Sequence, residues 1–141
     1  MFRILVPIDG SSNSLRALNY ALGKPGQLPE AEIHLLNVQP PIISGTVHLF
    51  ISKATVDSYY REEGEKALRQ ATEIMEKSGL QYVSYMDVGP VAETVARYAT
   101  EKQCGLIVMG TRGQNAMSRF MLGSVTIKVL QMIDVPITLI K

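Results

Sequence analysis

Leu106-Ile-Val-Met-Gly-Thr-Arg-Gly-Gln-Asn-Ala-Met-Ser-Arg-Phe-Met-Leu-Gly-Ser-Val125 is the stretch on which the fold turns. A short apolar run leads into Gly110 and Gly113, and Gly123-Ser124 opens a second pattern that carries Val125, Ile127, Val129, Leu130 and Ile133. The reading is strand, glycine-bracketed loop, helix, with the strand over Leu106 to Met109 and the helix from Ser124 to about Met132. Such a loop sets bare backbone N–H groups and a helix N-terminus at the carboxyl end of a strand, which suits an anion such as phosphate. The spacing is G-x2-G-x9-G-S. It is neither the P-loop, since Gly23-Lys24 is followed by Pro25, nor the dinucleotide G-x-G-x-x-G. On spacing alone, glycines that merely turn the chain and pack closely explain the stretch equally well.

Outward from it, the alternation of elements is regular. Ile4-Leu-Val-Pro-Ile8 is a short apolar strand of the kind covered on both faces, and Asp9-Gly-Ser-Ser-Asn-Ser14 is turn and cap chemistry. Ser11 or Ser12 caps a helix carrying Leu15, Leu18 and Leu22, which Gly23 ends. Glu32 to Val38 reads as a second strand and Gln81 to Val88 as a third. The stretch from about Pro40 to Thr55 has no period and reads as a long loop. A helix is predicted from about Val56 to Lys77, with Ala67, Leu68, Ala71, Ile74 and Met75 on its apolar face and Tyr59 and Tyr60 flanking its start. Pro90 stands in the first turn of the next helix, whose inward residues are Val91, Ala92, Val95, Ala96 and Ala99. Pro136 to Ile140 is the last strand.

Strict β-α alternation argues for a parallel sheet with helices on both faces. At 141 residues the chain is expected to be a single domain over 1–141. Its 14 Lys and Arg against 13 Asp and Glu give a net charge of +1, scattered along the chain, so electrostatics offer no case for a nucleic-acid partner. No membrane span and no secretory leader is expected, because the apolar runs are short and Asp9 interrupts the first. The lone Cys104 excludes an internal disulfide framework, fits a cytoplasmic location and reads as a small packed side chain. His34 reads as a structural histidine among apolar neighbours. His48 has no partner at metal spacing. Met75, Met109, Met117, Met121 and Met132 read as core filling or loop packing.

The Gly110–Val125 stretch, together with the opening Ile4-Leu-Val-Pro-Ile-Asp-Gly-Ser11, resembles the universal stress protein family in its ATP-binding branch. The likeness runs over essentially the whole chain. It departs after Gly113, where Gln114-Asn-Ala-Met117 replaces the further glycine and leucine usual in the family, and before the last strand at Ile133-Asp-Val-Pro136. The resemblance implies an open five-stranded sheet of order 3-2-1-4-5, adenine nucleotide alpha hydrolase-like, whose winding reverses between the first and fourth strands. Ligands in such sheets bind outside the carboxyl ends of the strands at that reversal.

The resemblance also implies roles. Pro7, Ile8 and Asp9 border the adenosine, and the backbone of Val38 recognises adenine. Met109 and Gly110 lie beside the ribose. Gly113, Gly123, Ser124 and Val125 hold the phosphates through N–H groups and the serine hydroxyl. Arg112 or Arg119 pairs with a phosphate or is a solvated loop-tip charge, and Asp9 or Ser11 serves the ligand or caps the following helix. The implied ligands are ATP and a phosphate-bridging Mg2+ with no dedicated protein site, and no catalytic residue is named. The expected function is that of an ATP-binding regulatory stress-response protein. The alternatives are a slow ATPase or autophosphorylating enzyme, in which Ser124 or another loop hydroxyl meets the γ-phosphate, and a ligand-free dimeric interaction protein. The implied assembly is a homodimer through the strand Pro136 to Lys141.

Overall fold

The computed structural model describes residues 1–23, 31–42, 51–113 and 122–141. In chain order these form β1 (Arg3–Pro7), α1 (Ser12–Leu22), β2 (Glu32–Gln39), α2 (Lys53–Ser78), β3 (Tyr82–Val88), α3 (Val91–Glu101), β4 (Leu106–Gly110), α4 (Ser124–Met132) and β5 (Ile137–Ile140). The strands make one sheet of order β3-β2-β1-β4-β5, parallel at every pairing, which is the order the resemblance implies.

Alternation along the central strand explains why it is apolar throughout. Ile4 and Val6 pack with Ala17, Leu18, Leu68, Ala71 and Met75, so α1 and α2 cover one face. Leu5 packs with Ala92, Val95, Ala99, Ile107 and Val129, so α3 and α4 cover the other. Successive side chains of a strand point to opposite faces, and with helices on both, neither face tolerates a polar residue at the centre. Ile4, Leu5 and Val6 are completely buried.

Helix ends follow local chemistry. Ser11 is the N-cap of α1, its Oγ accepting from Ser14 N–H at 3.1 Å. Ser52 caps α2 by accepting from Thr55 N–H, so the helix starts three residues before the expected Val56, and Tyr59 and Tyr60 lie within it. Gly79 ends α2 in the left-handed conformation at φ 70°, where a Cβ would be strained. Pro90 is the N-cap of α3, one position earlier than expected; its carbonyl accepts from Thr94 N–H.

The last helix buries only part of the apolar pattern that marks it. Thr126 and Val129 are buried, whereas Ile127 and Leu130 are each 43% exposed and Met132 48%. Two apolar stripes run along α4, and a helix laid on a sheet buries only one of them. No described helix is long and apolar enough to cross a membrane. Arg119, His48, Met117, Met121 and the Gln114–Met117 departure lie outside the described residues.

Candidate functional site

β1 ends at Pro7, while β2 beside it runs on to Gln39. Ile8 N–H donates to Leu36 O at 2.8 Å, the last backbone bond between the two chains there. The carbonyl of Ile8 accepts from Asn37 Nδ2 at 2.8 Å. Gln39 O accepts from Gly89 N–H, so Gln39 faces β3. By alternation, the N–H and C=O of Val38 face the other way, into the space β1 has left. Ile8 itself is buried in the core with α1 and α2, and Pro7 is half-buried. Only their main chain borders that space.

Asp9 is exposed at the end of β1. Its Oδ1 accepts from both Ser11 N–H, at 2.9 Å, and Ser11 Oγ–H, at 2.5 Å. Oδ2 points across to the loop after β4: a Cβ on Gly113 would lie 2.9 Å from it. The strand-end motifs around Asp9 and Gly113, about a hundred residues apart, therefore meet at one crevice between β1 and β4. Gly10, at φ 84°, makes the turn between Asp9 and the cap of α1.

The loop springs from a closed neck. Thr111 N–H donates to Ile140 O at 2.9 Å, and Arg112 N–H donates to Asn13 Oδ1 at 3.0 Å. On the far side Gly123 N–H donates to Thr111 O at 2.7 Å, and a Cβ on Gly123 would come 3.3 Å from Arg112 Cα. The Gly123 amide is thus spent on the neck. The amides offered at the start of α4 are those of Ser124, Val125 and Thr126, for the first N–H groups of a helix have no partner within it. Gly123 as N-cap supplies no side-chain cap, and among the described residues no side chain caps that helix end. Thr126 Oγ1–H donates to Gly110 O at 3.2 Å, fixing α4 against the end of β4.

Of the residues singled out from the sequence, Asp9, Gly110, Arg112, Gly113, Gly123, Ser124 and Val125 surround the neck. Met109 is 5% exposed and packs with α3 and α4, so only its main chain reaches the crevice. Val38 stands two strands away from β4, across the gap above β1. Asn13, Asn37, Thr111 and Thr126 were missed, although each is buried and bonds a main-chain group of the crevice. Their signal is a polar residue on a helix stripe or strand otherwise bound for the core.

The other end of the sheet holds a cluster of a different kind. His34 is 3% exposed; its Nε2 bonds Glu32 Oε1 at 2.6 Å, and its Nδ1 bonds the Tyr85 hydroxyl at 3.1 Å. Lys102 Nζ lies 5.0 Å from the Tyr85 ring centroid, and burial pushes the nearby Cys104 thiol up to about 11. Among the described residues no group of three or more His, Cys, Asp or Glu is placed to hold a metal ion.

The sheet order and the crevice at its reversal together define a doubly wound parallel α/β protein. The sequence profile of the Universal stress protein family matches residues 1–141. The chain belongs to that family. It is 32% identical to the universal stress protein YxiE of Bacillus subtilis, over 99% of this chain and 98% of that one. It is 30% identical to the universal stress protein MJ0531 of Methanocaldococcus jannaschii, over 99% of this chain and 81% of that one. Among solved structures, the hypothetical protein MJ0577 superposes with a TM-score of 0.86 at 24% identity, covering 99% and 95% of the two chains. Two more distant neighbours were solved with nucleotide. One is the universal stress protein of Archaeoglobus fulgidus in complex with dAMP, with a TM-score of 0.72 at 21% identity over 100% of this chain and 98% of that one. The other is an Arabidopsis thaliana family member with AMP bound, with a TM-score of 0.71 at 16% identity over 100% of this chain and 92% of that one.

Proposed function

We propose that this protein is an ATP-binding regulatory protein of the stress response, acting in the cytoplasm, with the nucleotide seated across the β1/β4 crevice. The observation that carries the reading is the meeting of Asp9 Oδ2 with the Gly113 position, where a Cβ would stand 2.9 Å away. Adenine bonds the outward N–H and C=O of Val38 and lies over the main chain of Pro7 and Ile8. Asp9 accepts from a ribose hydroxyl through Oδ2, its other oxygen being taken by Ser11. A carboxylate suits a neutral hydroxyl donor and repels phosphate, so the chain of phosphates runs away from Asp9, past Met109 and Gly110, toward α4. There the amides of Gly113, Ser124 and Val125, the Ser124 hydroxyl and the Arg112 guanidinium receive it, while Gly123 acts by holding the neck. The AMP and dAMP in two neighbours support an adenine nucleotide as the ligand.

One helix terminus contributes about 0.3–1 kcal/mol to anion binding, and up to ~2 kcal/mol when partly buried. Micromolar affinity needs about −8 kcal/mol, so several amides and a dry base pocket must act together. Mg2+ fits as a phosphate-bridging ion that keeps most of its waters, because the described residues offer it no carboxylate cluster. When bound, it would neutralise phosphate charge. The reading is binding rather than turnover: among the described residues no general base stands beside the Ser124 hydroxyl.

The test is mass spectrometry of small molecules released from purified, denatured protein, followed by calorimetric titration of emptied protein with ATP. An adenine nucleotide in the released fraction and saturable binding near micromolar support the reading. No nucleotide, and no heat at millimolar ATP, reject it.

We further propose a homodimer through Pro136 to Lys141. β5 is an edge strand, and Ile107 N–H donates to Pro136 O while Thr111 N–H donates to Ile140 O. The carbonyls of 136, 138 and 140 thus face β4, and the N–H groups of Ile137 and Leu139 face outward, where a second copy pairs antiparallel. The exposed Ile127, Leu130 and Met132 of the preceding helix add apolar surface to that side. Leu139→Pro removes an outward donor and is expected to sediment as monomer; a persisting dimer rejects the proposal.

A further inference from the structure

Asn13 lies on the buried stripe of α1 with Ser14, Ala17, Leu18 and Ala21, and it is 4% exposed. An amide in such a place is costly unless both of its ends find partners. Both do. Oδ1 accepts from Arg112 N–H at 3.0 Å, and Nδ2 donates to Ile140 O at 2.9 Å. Ile140 O accepts from Thr111 N–H as well, at 2.9 Å. Two consecutive amides at the root of the loop, those of Thr111 and Arg112, are therefore held from one point: one by the end of β5, the other by the side chain that also grips that end. The fit demands glycine opposite, for a Cβ on Gly110 would fall 2.2 Å from Asn13 Oδ1.

We propose that Asn13 is the positioning residue of the phosphate loop: it touches no nucleotide and sets where Gly113 and the residues after it begin. The inference rests on the nucleotide reading above. Without Asn13 the Arg112 amide loses its acceptor, the neck keeps only the Thr111 bonds and the Thr126 bond to Gly110, and Gly113, the next residue, loses its fixed place beside Asp9. Donors that act as a preorganised group lose most of their effect when displaced by about an ångström. The base and ribose contacts, at Val38 and Asp9, do not pass through Asn13. The positioning role therefore predicts a selective loss, confined to ligands with phosphates.

A staple close by supplies the control. Arg16 Nε–H donates to Lys141 O at 3.0 Å, tying the same helix to the same strand end by a bond that does not involve Thr111, Arg112 or Gly113. The experiment is calorimetric titration of wild type, Asn13→Ala and Arg16→Ala with ATP and with adenosine. Asn13→Ala is expected to weaken ATP by roughly tenfold and adenosine by less than about twofold, and Arg16→Ala to change neither. Equal weakening of ATP and adenosine in Asn13→Ala assigns the residue a merely structural role and overturns the inference, as does unchanged ATP affinity. If the wild type binds neither ligand, the nucleotide reading falls and takes this inference with it. If Asn13→Ala does not fold, hydrogen exchange of the wild type decides. ATP should slow exchange of the Thr111 and Arg112 amides where adenosine does not, and no difference between the two ligands overturns the inference.

Discussion

The two ends of the sheet solve opposite problems with opposite materials. At the carboxyl ends of β1 and β4, the crevice is bordered mostly by main chain, at the edge of Val38, the loop root at Thr111 and Arg112 and the start of α4, with the Asp9 carboxylate beside them. Side chains there work from behind, as Asn13, Asn37 and Thr126 do, by satisfying carbonyls and amides that the strands leave. At the amino ends, Glu32, His34 and Tyr85 bond one another, and the His34 and Tyr85 rings stack at 5.6 Å. Every nitrogen of His34 is engaged, so that end is a closed polar core. The difference teaches where to look for a ligand: where main-chain groups are held in place at strand ends, rather than where ionisable side chains are most concentrated.

Five substitutions, two of them read against pH, press on that contrast. The largest effect on stability is expected at the crevice end, from Gly110→Val. Its Cβ would meet Asn13 Oδ1 at 2.2 Å, and Asn13 cannot move without breaking both of its bonds. A loss of about 3 kcal/mol in urea unfolding is expected, together with loss of ATP binding. At the other end, His34→Ala leaves Glu32 without its closest partner in the interior and is expected to cost roughly 2 kcal/mol. Its ATP affinity should match wild type in titration; a matching loss of binding would erase the distinction between the two ends.

Alkaline pH reaches the amino end through one thiol. The Cys104 thiol, ordinarily near 9.0, is held up to about 11 by burial. Folding therefore favours the protonated thiol, and its contribution is full below pH 9 and lost as pH rises toward 11. The loss approaches roughly 2 kcal/mol relative to Cys104→Ala, read from urea midpoints across that range. Acid has a weaker counterpart at Asp87. Its charged form is opposed by burial but held by Val88 N–H, Arg97 and Tyr98, with the net pKa lowered. That contribution is present above the ordinary carboxylate range and lost as pH falls through the lowered value. Asp87→Asn should flatten a small acid-side slope, because its partner Arg97 lies at the surface. Smallest of all for stability is Gly113→Val. The position is exposed and its near neighbour is the tip of Asp9, so unfolding should shift by less than about 0.5 kcal/mol while ATP binding is lost.

Much of the fold was legible because a parallel sheet covered on both faces leaves uniform apolar runs, as in Ile4 to Ile8, and caps such as Ser11 and Gly79 punctuate the chain. Strand order was legible only through the family likeness. The buried face of α4 was not, because Ile127-Leu130 and Val129-Ile133 are apolar pairs at helical spacings of three and four and local sequence does not say which meets the sheet. The start of α2 was hidden in an aperiodic stretch, where the Ser52 cap stood without a pattern to attach to. In the crevice, the glycines announced themselves, but Asn13 sat among Ser11, Ser12 and Ser14 and read as one more turn residue. Its role depends on the end of β5, 127 positions away. The bond from Gly123 N–H to Thr111 O was equally invisible, and it moves the free amides one residue further into α4.

The account stands or falls on main-chain amides at one place, and amide resonances report on them directly. In a 15N-labelled sample titrated with ATP and Mg2+, the largest chemical-shift changes are predicted at Val38, Gly113, Ser124 and Val125, with the His34 and Tyr85 amides unmoved. The groove of about 500 Å3 between α2 and β3, lined by Leu68, Arg69, Thr72 and Met86, should also stay silent. Shifts concentrated in that groove, or none at the four crevice amides, would contradict it.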